Sequence, residues 1–494
     1  MPAPGGDTGV PVPGSGSITP AAHARGMEQA PGGGAAASTL VRPAEQGPIP
    51  RDEVVGVDEP VPVLGGGRVP YVDLDHAATT PALRPVTDAV AAFLPLYASV
   101  HRGTGYKSRA STAAYERARR VVGTFVGADP DRDTVVFGRH TTDAVNLLAG
   151  SLALEPDSIV LTTQLEHHSN DLPWRARTRT VAVRARPDGT LDEDDLDRLL
   201  ARHAGRVALL AVTGASNVTG VVPPVHDLAA RVHAVGGRIL VDAAQLAAHR
   251  PIDMRPHHDP GHLDFVALSG HKAYAPFGTG ALVGGRDAFL PRPHQPGGGT
   301  VRAVTADQVV WADLPDREEG GSPNVVGAVA LAAAVVRLAQ AGLDRIARHD
   351  QRLTAYALDH LRRVPGVRLY GPAGEAAAAA KVGVVPFTLD GLDPGLVAAV
   401  LGYEHGIGVR SGCFCAQPYI AHLLDLTPAD VVAAATTTDG FPGLVRLSFG
   451  AYTTTADVDR ALDAIALLAT TSGRAAATAS YAQGRDGTWA PRRT

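Results

Sequence analysis

A lysine lies between two apolar segments near the middle of the chain. Residues 265–268 are typical of a short buried strand, and residues 280–284 are typical of a strand that returns. Ser269, His271 and Lys272 lie in the polar connection. A lysine between buried strands is costly unless its charge is used or neutralised. One use is a Schiff base with an aldehyde cofactor, and the alternative is a surface hairpin with an exposed lysine.

An aspartate ends the apolar segment that precedes this lysine. Residues 238–241 are typical of a buried strand, Asp242 follows directly, and Gln245 lies just beyond it. The carboxyl end of a parallel strand faces the ligand crevice of an open α/β sheet. A carboxylate there can keep a pyridinium nitrogen protonated, which makes pyridoxal phosphate (PLP) an electron sink. Asp242 and Lys272, separated by one strand–loop–strand unit, together predict a PLP site.

A second group of reactive residues lies near the end of the chain. Cys413 and Cys415 are the only two cysteines, and Arg410 precedes them. A thiolate is the nucleophilic form of cysteine, but two small buried cysteines would also satisfy the pattern. No metal site is predicted, because Cys-x-Cys supplies only two of the four ligands that zinc needs. Arg446 lies within an apolar strand, where a buried arginine favours a bidentate carboxylate partner.

A candidate phosphate-binding segment lies earlier in the chain than both of these groups of residues. Residues 134–138 are typical of a strand, and Thr141 and Thr142 open the helix that follows it. Free N–H groups and the helix dipole favour anions at such a position. An ordinary threonine N-cap is the alternative.

The motifs VDAAQ, SGHK and RSGCFC resemble those of the cysteine desulfurase family, nearest its Suf-type branch, among PLP enzymes of the class V aminotransferase fold. The resemblance runs from about residue 71 to about residue 468. It implies an α/β fold of PLP fold type I (aspartate aminotransferase-like), with a large domain built on a mostly parallel sheet and a smaller C-terminal α+β domain. The GCFC string also resembles one in the sulfurase domain of molybdenum cofactor sulfurases. The resemblance therefore leaves open which pathway receives the sulfur.

The resemblance also implies roles for individual residues. Lys272 would hold PLP and shuttle a proton, Asp242 would bind its ring nitrogen, and Cys415 would be the nucleophile that takes sulfur from L-cysteine. His167 would stack on the ring and carry a proton, and Ser322 would touch the PLP phosphate of a neighbouring subunit. The other cofactor contacts would be Thr141, Thr142, Asn217, Gln245, Ser269 and His271, and the substrate contacts would be Asn217, His101, Arg410 and Arg446.

The expected reaction converts L-cysteine or a similar amino acid to alanine and leaves a persulfide on the protein, for delivery to a sulfur-acceptor protein. An aminotransferase, C–S lyase or epimerase of the same fold remains the alternative, because fold does not fix reaction. A catalytically idle scaffold is less consistent with the lysine, aspartate and histidine motifs, since a scaffold needs none of them.

Strands that alternate with helices must position these residues. Strands are predicted near 134–138, 158–161, 207–212 and 238–241, which favours a mostly parallel sheet. A smaller set is predicted near 366–370, 381–388 and 444–449, after two helices within 325–364. The resulting boundaries are a disordered extension over 1–52, a large PLP-binding domain over 53–328, a small domain over 329–470 and a disordered tail over 471–494.

Composition limits the partners. The 494 residues carry a net charge of −5, so no basic face for nucleic acid is expected. No apolar run approaches the ~18 residues of a membrane helix, and residues 1–50 lack the apolar region of a secretory signal. Two neighbouring cysteines suit a reducing compartment. We therefore expect a cytoplasmic protein, and the family resemblance implies a homodimer.

Overall fold

The structure is a computed structural model, and it describes residues 46–101, 103–434, 436 and 442–492. Most of the predicted N-terminal extension, residues 1–45, lies outside the described residues.

The strands in chain order are β1 Pro60–Pro62, β2 Arg68–Pro70, β3 Val72–Asp73, β4 Asp133–Gly138, β5 Ile159–Thr163, β6 Arg179–Val183, β7 Val207–Thr213, β8 Arg238–Asp242, β9 Phe265–Ser269, β10 Gly280–Gly285, β11 Val301–Val304, β12 Val309–Trp311, β13 Val367–Leu369, β14 Val384–Leu389, β15 Ile407–Gly408, β16 Arg410–Gly412, β17 Leu444–Ser448, β18 Tyr481–Gln483 and β19 Trp489–Pro491.

The α-helices in chain order are α1 Arg84–Phe93, α2 Tyr106–Phe125, α3 Thr141–Ser151, α4 Leu172–Arg175, α5 Glu193–Arg202, α6 Val225–His233, α7 Val325–Ala341, α8 Leu343–Arg363, α9 Glu375–Ala379, α10 Pro394–His405, α11 Gln417–Leu423, α12 Pro428–Ala434, α13 Thr455–Leu468 and α14 Thr471–Ser480.

A seven-stranded sheet in the order β4-β10-β9-β8-β7-β5-β6 carries the lysine and aspartate motifs. The pairs from β9 to β6 are all parallel, and only β10 runs antiparallel to its two neighbours. The central strands β8 and β9 are apolar and almost wholly buried, as expected for strands covered on both faces. The prediction of a mostly parallel sheet is therefore confirmed, with β10 as its returning strand.

A four-stranded antiparallel sheet in the order β13-β14-β17-β16 carries the cysteines and Arg446. Helices α8, α10 and α13 bury apolar side chains in a second core beneath it. Helix α10 begins at the Asp393 cap and ends at Gly406, whose left-handed backbone favours glycine. The chain then passes through β15 and β16 directly into the cysteine segment, so this sheet fixes where the cysteines lie.

Two boundary predictions differ from the structure. The tail predicted to be disordered over 471–494 instead forms α14 and the β18–β19 hairpin over its described residues, with Tyr481 fully buried in the second core. The end of the predicted N-terminal extension is also packed: Ile49 is fully buried and donates its backbone N–H to Ala451 at 3.2 Å. In both places a few apolar side chains pack into a core, and the composition of the segment does not predict this packing.

The segment around β3 crosses the predicted division between the two domains. Strand β3 pairs in parallel with β15, and Val72 and Leu74 lie in the second core. A strand from the predicted large domain thus packs against the C-terminal core, which brings Asp75 beside β17.

No single helix in the described part of the chain is long and apolar enough to cross a membrane. Helices α7 and α8 meet that test of length and composition only as a pair, and they are bent by 73°.

Candidate active site

Lys272 ends a short 3-10 turn, Gly270–Lys272, that follows directly from β9. A Cβ at Gly270 would lie 2.8 Å from the backbone oxygen of Thr279, so the tight turn requires glycine there. The Lys272 side chain is half-buried. Burial lowers the pKa of Lys272 to about 8, although the Asp242 carboxylate opposes the shift. At that pKa about a tenth of the amine is uncharged at pH 7, far more than in an ordinary lysine, and the uncharged form is the nucleophile.

Asp242 lies at the carboxyl end of β8 and is buried. Its Oδ1 accepts a hydrogen bond from the backbone N–H of Ala244 at 2.9 Å. Burial raises the pKa of the Asp242 carboxyl, and the opposing effects of Ala244 and Lys272 do not cancel it. A desolvated carboxyl of this kind favours a cationic partner, since such a partner would restore the stability of the charged form.

Glu166 fixes the segment that follows β5. Its two carboxyl oxygens accept hydrogen bonds from Thr163 Oγ1 at 2.6 Å, Asn170 Nδ2 at 2.6 Å and the backbone N–H of Thr213 at 2.9 Å. Burial raises the pKa of Glu166 to about 8 despite these bonds. Glu166 therefore ties β5 to β7 and holds the histidine that follows it.

His167 is held in one orientation by Ser169. Its Nδ1 accepts the backbone N–H of Ser169 at 3.1 Å and lies 2.9 Å from that serine's hydroxyl. Burial, together with the positive charges of Lys272, His168 and Arg446, lowers the pKa of His167 to about 3. A neutral imidazole suits stacking on an aromatic ring. The role of a proton carrier stays a prediction.

The first turn of α3 adjoins the end of β9. The Thr141 backbone N–H donates to Ser269 Oγ at 2.9 Å, and the Ser269 hydroxyl donates to Thr141 Oγ1 at 2.9 Å. Thr142 is exposed, and its hydroxyl lies 2.6 Å from that of Ser169. The structure thus brings the predicted phosphate-binding hydroxyls to the strand that leads to Lys272.

Arg446 is a buried cation from the middle of β17. It donates to the backbone oxygen of Asn217 at 2.8 Å and to Asp75 Oδ1 at 2.9 Å, while Arg410 reaches Asp75 Oδ2 at 3.0 Å. Its Nε is buried and has no hydrogen-bond partner among the described residues. Burial lowers the pKa of Arg446 to about 10 despite the Asp75 carboxylate. Such a guanidinium has a donor left for a carboxylate ligand.

The cysteines lie on a tight turn after β16. The backbone N–H of Ala416 donates to the Cys413 oxygen at 2.9 Å, which closes a four-residue turn. Both central residues have positive φ, 51° at Phe414 and 54° at Cys415, as in a type I′ turn. Backbone strain of this kind costs about 1–3 kcal/mol per residue and is found at functional sites. Cys415 is exposed and Cys413 is half-buried.

Contacts from three segments hold this turn in place. Asn217 Nδ2 donates to the Phe414 oxygen at 2.8 Å, and the His168 backbone N–H donates to the Cys415 oxygen at 2.7 Å. The Phe414 ring lies under the Arg446 guanidinium, with 4.7 Å between its centroid and Cζ. The negative charge of a Cys415 thiolate raises the pKa of both Lys272 and Arg446. The thiol, the amine and the guanidinium therefore form one electrostatic cluster.

The remaining predicted residues fall into two groups. Gln245 is buried and donates to the Ala77 oxygen at 2.6 Å, and His271 lies with Nδ1 3.3 Å from Thr79 Oγ1, so both line the segment after β3. His101 instead contacts Glu116 at 2.9 Å. Ser322 is exposed. Within the described residues, neither His101 nor Ser322 makes a side-chain hydrogen bond to the Lys272 cluster.

The donor set fits PLP. It offers a lysine with a lowered pKa for the aldehyde and a buried carboxyl suited to a protonated ring nitrogen. It also offers a neutral imidazole for stacking and a helix N-terminus with hydroxyls for the phosphate. Within the described residues, no group of three or more histidine, cysteine or acidic side chains could hold a metal ion.

Comparisons with known proteins agree with this geometry. The model of the class V aminotransferase family matches residues 72–461. Among curated relatives, a cysteine desulfurase of Haloferax volcanii is 35% identical over 80% of this chain and 89% of its own. One of Pectobacterium atrosepticum is 36% identical over 83% of this chain and 95% of its own. Each alignment spans nearly the whole relative.

Solved structures give the same result. The apo structure of a cysteine desulfurase from Thermococcus onnurineus superimposes with a TM-score of 0.71 and 32% identity, over 81% of this chain and 94% of that one. A cysteine desulfurase from Escherichia coli gives a TM-score of 0.68 and 30% identity, over 80% of this chain and 94% of that one. The chain therefore belongs to the cysteine desulfurase family within the class V aminotransferases. The predicted family and fold class are confirmed, and the Suf-type branch stays a prediction.

Sequence reasoning missed three residues that shape the site. Asp75 bridges Arg410 and Arg446, Glu166 ties β5 to β7, and His168 holds the cysteine turn. Asp75 lies just after β3, much as Asp242 lies at the end of β8, and this position of an acid near a strand end was an available signal. Nothing in the sequence near Glu166 or His168 indicates what they contact.

Proposed function

We propose that this chain uses the Lys272–Arg446–Cys415 cluster to carry out a PLP-dependent cysteine desulfurase reaction. L-Cysteine would become L-alanine, and its sulfur would remain on Cys415 as a persulfide. The observation that carries this proposal is the convergence of three segments: the turn after β9, strand β17 and the turn after β16. The charges of Arg446 and Cys415 act on the pKa of Lys272, and the charge of Cys415 acts on the pKa of Arg446.

PLP, when bound, supplies the electron sink that makes the bonds around the substrate Cα and Cβ labile. Lys272 would hold its aldehyde carbon and Asp242 its ring nitrogen. His167 would stack on the ring, and Thr141 and Thr142 at the start of α3 would bind its phosphate. Binding of the substrate, proton transfer and capture of the sulfur would fall to side chains of this chain.

Arg446 would bind the substrate α-carboxylate. Its Nε donor is buried and unpartnered among the described residues, and Asp75 and the Asn217 oxygen hold the rest of the guanidinium in place. A carboxylate at Nε would replace the hydrogen bond that burial has removed. Asp75 is a positioning residue in this arrangement, because it orients Arg446 without touching the substrate.

Lys272 and Cys415 would move the proton and the sulfur. Lys272 Nζ, with a pKa of about 8, is suited to accept the Cα proton and to return it. The exposed Cys415 thiol would attack the substrate sulfur as a thiolate. The S–S bond then forms as the substrate C–S bond breaks, and the carbon skeleton leaves as alanine.

A cytoplasmic homodimer that delivers sulfur to an acceptor protein is part of the same proposal. Two observations support a subunit contact near Ser322: its exposure, and the exposed Val304, Val309 and Val310 on the β11–β12 hairpin. Large exposed apolar side chains grouped on one hairpin are typical of an interaction surface. Sedimentation of the active enzyme as a monomer would contradict this part.

The decisive experiment is to expose the PLP-loaded protein to L-cysteine and to analyse both products. We expect alanine in solution and a sulfane sulfur on Cys415 by peptide mass spectrometry, and Cys415→Ala should lose the persulfide while keeping PLP. Pyruvate with ammonia would indicate a C–S lyase. Amino transfer to a keto acid would indicate an aminotransferase, and racemised substrate would indicate an epimerase.

A further inference from the structure

We propose that Cys413 is a second sulfur-carrying residue, which accepts the outer sulfur of the Cys415 persulfide and frees Cys415 for another turnover. This inference rests on the proposed function and deepens it. It assigns to the protein a storage site for sulfane sulfur beside its nucleophile.

The turn places the two sulfur atoms on one small segment of backbone. Cys413 and Cys415 are the first and third residues of the closed turn, and Cα atoms two residues apart are separated by at most about 7 Å. The positive φ of both Phe414 and Cys415 curls the chain and shortens that distance. Sulfur–sulfur bonds form between cysteines whose Cα atoms are about 4.4–6.8 Å apart.

A second observation is that groups outside the turn hold it in place. Asn217 Nδ2 donates to the Phe414 oxygen at 2.8 Å, and the His168 backbone N–H donates to the Cys415 oxygen at 2.7 Å. The backbone that joins the two cysteines is therefore fixed, which keeps Cys413 beside the residue from which it would take sulfur.

The relay of sulfur from Cys415 to Cys413 requires the first cysteine to be the more exposed of the two, and it is. Cys415 is exposed, where it can meet the substrate, whereas Cys413 is half-buried and packs against the large core. Burial raises the pKa of the Cys413 thiol, so Cys415 reacts first with the substrate, and Cys413 reacts only with the persulfide held beside it. A sulfur moved from Cys415 to Cys413 would therefore pass from an open position to a sheltered one.

The transfer step balances without an added oxidant or reductant. The Cys413 sulfur attacks the outer sulfur of Cys415–S–SH, the S–S bond of Cys415 breaks, and Cys415 leaves as its thiol after taking the proton that Cys413 gives up. The sum is Cys413–SH plus Cys415–S–SH giving Cys413–S–SH plus Cys415–SH. The number of sulfane sulfurs does not change, and Cys415 regains the form that reacts with L-cysteine.

The test counts alanine released in a burst, with PLP-loaded enzyme, excess L-cysteine, no reductant and no acceptor. Wild type should release about two alanines per subunit and Cys413→Ser about one, because only one sulfur can then be stored. Ser411→Ala is the matched control, since Ser411 is a half-buried small residue of the same segment; it should release about two. Mass spectrometry of the peptide that holds both cysteines should locate sulfane sulfur first on Cys415 and later on both.

The outcomes separate the relay from the reaction. One alanine per subunit in wild type, a burst of two in Cys413→Ser with a chain of sulfurs on Cys415, or a Cys413–Cys415 disulfide with free sulfide would each overturn the relay and leave the desulfurase reaction intact. If Cys413→Ser does not bind PLP, the time course of sulfur on the wild-type peptide decides alone. Absence of alanine from all three proteins would overturn both proposals.

Discussion

The chain contains three lysines, of which Lys107 is exposed while Lys272 and Lys381 are withdrawn from water to different extents. Burial lowers the pKa of Lys272 to about 8 and that of Lys381 to about 7. Lys272 is surrounded by charges that act on it, with the Asp242 and Cys415 anions opposing the Arg446 cation. The Lys381 amine is fully buried and donates to the Pro372 oxygen at 3.2 Å, and burial alone accounts for its shift.

This comparison shows that a lowered lysine pKa does not by itself identify a catalytic lysine. Lys381 lies where the chain enters the second sheet, and its backbone oxygen accepts a hydrogen bond from Arg250. Among the described residues its neutral amine has a carbonyl partner but no acid to exchange a proton with, whereas Lys272 faces a carboxyl, a thiol and a guanidinium. Acid–base and nucleophilic chemistry at one amine is favoured when some neighbouring groups raise its pKa and others lower it.

The largest expected difference between the two lysines is in activity. Lys272→Ala should lose covalent PLP, its visible absorbance and all turnover, because it removes the one lysine amine of the cluster. Lys381→Met, the matched control, should keep the absorbance and stay within about threefold of wild-type turnover, since hydrophobic replacements of similar volume are tolerated best. Borohydride reduction followed by peptide mapping checks both; PLP on Lys381 or Lys107 would place the Schiff base elsewhere.

The second largest expected effect concerns Asp242, the carboxyl that acts on Lys272 and has no counterpart at Lys381 among the described residues. Asp242→Asn should retain PLP but lower kcat about 10²–10³-fold, comparable to the loss of one charge-stabilising group at an active site. An amide has no charge with which to hold a ring nitrogen protonated. Steady-state alanine release, measured at equal PLP content, is the test; a variant within threefold of wild type would remove Asp242 from its assigned role.

A third difference should be visible as a function of pH. PLP-free protein should bind PLP covalently with a rate that rises through about pH 8, because the uncharged Lys272 amine is the reactive form. The Asp242 charge raises the pKa of Lys272, so the midpoint in Asp242→Asn should shift to lower pH. Absorbance after pH jumps follows both proteins, and a midpoint near that of a free lysine would contradict the lowered pKa.

The smallest effect is on stability. Unfolded lysine keeps its proton to about pH 10.5, whereas folded Lys381 loses its proton through about pH 7. Between these values the unfolded state binds more protons, so the contribution of Lys381 to the free energy of unfolding rises with pH. Lys381→Met should remove that slope and add about 1–3 kcal/mol at pH 7. Urea denaturation at pH 7 and pH 9 measures both; an unchanged slope would mean that Lys381 keeps its charge when folded.

Much of this site could be predicted from local sequence, because the apolar runs of β8 and β9 lead directly to Asp242 and to the turn that carries Lys272. The pairing of Asp75 with Arg446 could not, since the two lie 371 residues apart and meet only through the fold. The low pKa of His167 depends first on its burial and then on the charges of Lys272, His168 and Arg446. Sequence spacing gives neither the burial of a side chain nor the distances between such charges, so this pKa shift could not be predicted from the sequence.

The prediction of a disordered C-terminal tail differs from the structure for another reason. Helix α14 contains mostly alanine, threonine, serine and glycine, which is also the composition of a disordered tail. Its order comes from Ala477 and Tyr481, which complete a core built by residues far upstream. Tertiary packing, rather than local preference, decides such a segment.

The turn that carries Cys415 has a consequence for how this protein tolerates change. Cys415, the third residue of the turn, has a positive φ, and this backbone conformation favours glycine over residues with a side chain. Selection for heat resistance alone would thus favour glycine at the position where the proposed reaction needs the thiol. Under that proposal, the cysteine lowers the stability of the fold and in return holds a reactive atom at a fixed place.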